Sequence, residues 1–183
     1  MKRFMMGAVV ALVCAAAGTY VYFANGFAPV GTSAPPMPFE KRLARLALHA
    51  RLEKEMPKTV PFETSEARYL SGAHAYVEHC AVCHGLPGRP ETAIARGEFP
   101  KPPQLFEGKG VTDDPPGETY WKTVNGIRLT GMPGFEKSLP QARIWEIALL
   151  LANADKLPGS VTAVLKGPSE PPSPAEGSPP AEK

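Results

Sequence analysis

The chain opens on an uninterrupted apolar run. From Phe4 to Ala24, 21 residues carry no charge and nothing more polar than Thr19 and two tyrosines. As a helix this is about 30 Å long, enough to cross the hydrocarbon core of a bilayer. Lys2 and Arg3 stand on its amino side and the next charge is Glu40, an asymmetry that places the N-terminus in the cytoplasm and everything after Asn25 outside. Tyr20, Tyr22, Phe23 and Phe27 gather at the exit end, where aromatic rings favour the headgroup region. A cleaved signal peptide is the competing reading, with its apolar stretch ending at Cys14 and Ala15-Ala16-Ala17 as the processing site. Because the apolar run continues to Phe23, residues 1–27 are read as a transmembrane anchor or uncleaved signal.

Helical spacing governs the rest. A linker with prolines 29, 35, 36 and 38 leads into Phe39–Met56, where Phe39, Leu43, Leu46, Ala47 and Ala50 fall on one face and Lys41, Arg42, Arg45, Arg51 and Lys54 add positive charge. This amphipathic helix, ended by Pro57, either packs on a domain or lies on anionic lipid or a partner protein. A second helix follows, capped by Thr64 or Ser65, with a stripe of Leu70, Ala73, Val77 and Cys80 beside Tyr69 and Tyr76. Residues 85–117 are too rich in proline and glycine for any long element. Asp114-Pro115 starts a short helix near Glu118–Val124, closed by Asn125-Gly126. The last helix presents Ile144, Trp145, Ala148, Leu149, Leu151 and Ala152 up to Pro158, with Ser138 and Gln141 at capping-box spacing. No strand pattern competes, so the fold class is all-α.

Composition narrows the picture. With 183 residues, 22 prolines and three cysteines, the chain suits one domain with attachments, and neither a large multidomain enzyme nor a disulfide-stapled scaffold. The division is an anchor at 1–27, linker and amphipathic helix at 28–63, one domain at 64–158 and a Pro-rich disordered tail at 159–183. Gly167–Lys183 in that tail holds no large apolar residue to offset ordering entropy. Setting Lys2 and Arg3 aside from 20 basic and 18 acidic residues leaves 18 of each. That balance carries no nucleic-acid footprint.

The chemistry lies in Cys80-Ala81-Val82-Cys83-His84, a C-x-x-C-H motif of the kind that attaches c-type haem. On a helical turn, positions i, i+3 and i+4 share a side, so both cysteines can reach the vinyl groups of one porphyrin while His84 approaches the iron. A thioredoxin-like pair needs a βαβ setting, and a zinc site needs further ligands; neither pattern is present. Cys14 is left as a lipid-facing thiol. For the sixth iron position, Met132 is the sole methionine after His84, stiffened by Pro133 and flanked by glycines. His49 remains a bis-histidine alternative. His74 and His79 precede the motif on its own helix, and His79 is expected to point away from the ligand face.

These residues together resemble the class I, mono-haem cytochrome c family, in a membrane-anchored bacterial form, over Thr64–Pro158. The resemblance implies helices wrapped around one covalent haem c, with cofactor contacts from Cys80, Cys83, His84 and Met132, and iron ligation by His84 and Met132. It further implies that Gly72, one turn before Tyr76, admits an aromatic side chain where the motif helix crosses the last one, with Trp145 as the partner. One of Pro100, Pro102 and Pro103 would accept the N–H of His84, and Tyr120 and Trp121 would approach a haem propionate. The implied role is a one-electron carrier, with no catalytic residue of its own, tethered to the cytoplasmic membrane on its periplasmic side and serving redox protein partners there. An obligate haem subunit of a membrane dehydrogenase or oxidase is the alternative. A haem peroxidase or gas sensor with a labile Met132 is a further one, although no histidine after His84 could serve as its distal acid–base group.

Overall fold

The computed structural model describes residues 1–107 and 113–167. Those residues carry eight helices and no strand, and they divide into two units, Met1–Arg51 and the remainder from Leu52.

In the first unit, α1 (Lys2–Ala24) has no buried residue. It is long and apolar enough to cross a membrane. Tyr22 stacks on Phe27 and meets Phe23 edge-on at its exit end. Helix α2 (Glu40–Glu55) begins after a turn closed by the Glu40 carboxylate, which accepts from the Met37 N–H at 2.8 Å. It stops just before Pro57, as proline dictates.

The second unit is built on α3 (Glu66–His79), α4 (Ala81–His84), α5 (Ala93–Gly97), α6 (Pro116–Asn125), α7 (Gln141–Ala152) and α8 (Gly159–Lys166). Ser65 caps α3 by accepting from the Arg68 N–H. Helix α3 crosses α7, which also packs on α6, and α8 lies against α3. The core gathers Ala73, Tyr76, Ile147, Leu150, Leu151, Val161 and Leu165. At the α3–α7 crossing a Cβ on Gly72 would overlap the carbonyl of Glu146, so only glycine lets the two backbones approach this closely. Around it, Glu146 accepts from Ser71 and pairs with Arg68 and Arg143 at 3.6 and 3.7 Å. The Arg68 guanidinium lies 3.7 Å from the Phe62 ring centroid.

Several sequence expectations need correction. Gly72 admits the backbone of α7, not an aromatic ring; Trp145 instead stacks on Tyr120 at 4.1 Å. The buried face of α3 is Gly72, Ala73, Ala75 and Tyr76, with Val77 left 39% exposed, because the covered arc is centred near Gly72 and Tyr76 and Val77 lies beyond its edge. No capping box forms: Pro140 occupies the position before α7, and Ser138 bonds to the Phe135 carbonyl in the preceding turn. Residues 159–166 are not tail. They form α8, whose Val161 and Leu165 are fully buried and whose Ser160 hydroxyl donates to Glu66 at 2.5 Å. The amino boundary also moves back from residue 64, since Leu52 is buried, Glu55 accepts from the Trp121 indole at 3.2 Å, and the Pro57 carbonyl fills the space a Cβ on Gly117 would need. Residues 168–183 of the expected tail and 108–112 of the proline-rich stretch lie outside the described residues.

Candidate haem site

The end of α3 and the single turn of α4 bring Cys80, Cys83 and His84 to one wall of a cavity of about 210 Å³. Backbone bonds from Cys83 and His84 N–H to the Cys80 carbonyl close that turn at 3.1 and 2.9 Å. Gly85 then ends it at φ 73°, a left-handed conformation suited to glycine. Three further bonds fix the turn. The buried Tyr76 hydroxyl donates to the Gly85 carbonyl at 2.8 Å, the Gln104 amide donates to the Cys83 carbonyl at 3.1 Å, and His84 Nδ1 lies 2.9 Å from the Pro103 carbonyl. A carbonyl only accepts, so Nδ1 carries the proton and Nε2 keeps a lone pair. Of the three candidate prolines, Pro103 is the one that sets the tautomer.

Met132 lies on the same cavity, carried by the loop after α6. The loop folds back on the end of that helix: Ile127 N–H donates to the Met132 carbonyl at 3.2 Å, Phe135 N–H to Thr123 at 2.9 Å, and Glu136 N–H to Val124 at 3.2 Å. Thr130 donates to the Ile127 carbonyl and accepts from the Met132 N–H, at 2.6 and 3.1 Å. Two glycines make this possible. Gly126, at φ 68°, has Pro133 and Gly134 within 2.7 Å of where a Cβ would sit, and Gly134 has the Asn125 carbonyl at 2.8 Å.

Between the two walls the lining is largely apolar, with Leu105, Ile127, Phe135, Ile147 and Leu151 among it. Burial pushes the Cys80 thiol up to about 12, helped by Cys83. Burial and then the Glu98 carboxylate, which accepts from Cys83 at 3.2 Å, push the Cys83 thiol up to about 11. Among the described residues no cluster of three His, Cys, Asp or Glu could hold a metal ion. The donor set of two thiols, one imidazole and one thioether around a largely apolar cavity fits haem.

Other expected residues fall elsewhere. Tyr120 is stacked on Trp145 and Trp121 is bonded to Glu55, and neither lines the cavity. His74 is exposed on α3, and His49 belongs to the first unit. His79 does border the cavity, its ring 6.0 Å from that of Phe135, correcting the expectation that it points away. Glu98, Lys101 and Lys122 also line the site; single charged residues in loops and short helices give no periodic signal to announce this.

Residues 67–151 match the family model described as cytochrome c oxidase, cbb3-type, subunit III. Over those residues the helical unit matches a cytochrome c domain. Electron transfer and haem binding are what such a domain does. Among solved structures, a chain of the reducing HAO-like protein complex of Kuenenia stuttgartiensis is similar at 25% identity and a TM-score of 0.44, over 55% of this chain and 52% of that one. The present chain thus spans about half the length of that relative. Among curated proteins none matches it. The match to the cytochrome model ends at Leu151, before α8.

Proposed function

We propose that the protein is a membrane-tethered, one-electron carrier whose haem c is held by thioethers from Cys80 and Cys83, with His84 and Met132 as axial ligands. The observation that carries this reading is the placement of His84, with its tautomer set by Pro103, and Met132 on one apolar cavity. Bound there, haem supplies an iron that takes up and returns one electron. The chain's own part is positional. The α4 turn holds both thiols on one side, Pro103 orients the imidazole, the glycine-held loop presents the thioether, and the apolar lining keeps water out. A thioether ligand raises the potential relative to a second nitrogen ligand. No group of the chain is assigned a catalytic step.

Helix α1 supports a single-pass anchor, and the Lys2–Arg3 flank supports a periplasmic cytochrome domain. Tethering raises its effective concentration near membrane redox partners. The test is a spectrum and redox titration of the membrane-extracted protein. Haem that resists acid extraction, together with a sulfur-to-iron charge-transfer band in the ferric form, is expected; extractable haem or a missing band overturns the assignment.

A second reading, an obligate subunit of a respiratory complex, is favoured by the description of the matched family as an oxidase subunit. In mild detergent a free carrier elutes alone, whereas an obligate subunit elutes with its complex.

A further inference from the structure

Helix α2 presents an apolar face that nothing among the described residues covers. Leu43 and Leu46 are 63% and 66% exposed, and Phe39, immediately before the helix, is 70% exposed. At about 100° per residue, Phe39, Leu43, Leu46, Ala47 and Ala50 fall within one arc of about 100°. Leu52, the buried leucine of the same helix, lies on the order of 180° from Leu43 by the same spacing. The helix therefore has two apolar sides: the one marked by Leu52 is buried, and the other is open.

The backbone holds that open side in place at some cost. Phe39 has φ 64°, a left-handed conformation that a bulky side chain rarely adopts, and its carbonyl accepts the Leu43 N–H at 2.9 Å. Strain at an exposed aromatic points to a use outside the fold. The charge is one-sided as well. From Glu40 to Lys54, Lys41, Arg42, Arg45, Arg51 and Lys54 stand against Glu40 and Glu53. Arg42 borders the apolar arc on one edge and Lys54 lies near the other, while Lys41 and Arg45 lie on the side of Leu52.

The chain itself says what is near. Only residues 25–39 separate α1 from α2, and 15 residues span at most about 50 Å. Resting on the reading of α1 as a membrane anchor, we infer that α2 is an interfacial helix that lies on the anionic lipid surface beside the anchor, with Phe39, Leu43 and Leu46 in the acyl boundary and Arg42 and Lys54 near the headgroups. Tethering makes modest intrinsic affinity sufficient. Each basic side chain close to an anionic surface favours the bound state by about fivefold.

The experiment uses the full-length holoprotein in lipid nanodiscs, with Cys14→Ser and one nitroxide placed by Leu46→Cys or, as the outward-facing control, Arg45→Cys. Discs are phosphatidylcholine alone or contain roughly one quarter phosphatidylglycerol. In the anionic discs, position 46 is expected to become accessible to oxygen and shielded from a water-soluble nickel complex, several-fold more than position 45. Combining Arg42→Glu with Lys54→Glu is expected to remove the difference. Equal nickel access at 45 and 46 in both discs overturns the proposal. So does shielding of position 46 that ignores lipid charge, which assigns the face to a protein partner, or shielding that grows with the number of copies per disc, which assigns it to a second copy. An alkaline wash separates failure of the anchor reading, because a protein without a spanning α1 leaves the disc whatever position 46 reports, and the proposal falls with it.

Discussion

The two walls of the cavity are made by opposite means. On the Cys80–His84 side a helical turn is fixed by bonds from two parts of the chain, Tyr76 on α3 and the adjacent Pro103 and Gln104 in the loop beyond α5. On the Met132 side a loop is folded onto the end of α6 by short-range backbone bonds, and two glycines set how close it can come. The first wall is cross-braced by the tertiary fold, and the second is shaped locally. Under the proposed assignment this difference separates permanent attachment from an adjustable ligand. One wall decides whether the cofactor stays; the other decides its potential and whether outside molecules reach the iron.

Replacing both Cys80 and Cys83 with Ser attacks the first wall most severely. The haem is then expected to come away completely in acid extraction, where the parent protein retains it; retention in the double variant would break the contrast. Met132→Ala attacks the second wall, and should leave the haem covalently bound while opening the sixth position. Its reduced form is expected to bind carbon monoxide quickly, the parent slowly, as followed by absorbance. Gly126→Ala is a smaller change. It forces a Cβ against Pro133 and Met132 in a left-handed backbone, and should cost about 2 kcal/mol in denaturant unfolding with weakening of the sulfur-to-iron band and no loss of haem. Tyr76→Phe is smaller still, removing a buried hydrogen bond for about 1 kcal/mol.

Tyr76 also has a pH signature. Burial raises its phenol well above the usual 10, so the folded state keeps a proton that the unfolded chain releases. The stability it confers is complete below about pH 10 and declines as pH rises above that value. The alkaline fall in urea midpoint is expected to be shallower in Tyr76→Phe; identical slopes would show that the phenol does not carry it.

The same contrast explains what could be read in advance. The Cys80–His84 wall is legible because Cys80, Cys83 and His84 obey a spacing set by one helical turn. Met132 was reachable by elimination, since no other methionine follows the motif. Pro103 was not separable from Pro100 and Pro102, because which carbonyl meets the imidazole depends on the path of a loop that propensity does not fix. Gly72 was noticed, but its neighbour is a backbone, and side-chain patterns are silent about backbone approach. Helix α8 was missed for a related reason. It is eight residues long, begins with Gly-Ser after a proline, and owes its stability to burial of Val161 and Leu165 against α3, not to propensity. Thr64 or Ser65 as a cap needed only local information, and Ser65 performs it.

The bond between Ser160 on α8 and Glu66 on α3 ties together the amino ends of two helices, 94 residues apart in sequence and 2.5 Å apart in space. A contact at that separation closes a long loop, and the entropy of closing it is offset by the burial of Val161 and Leu165 beside it.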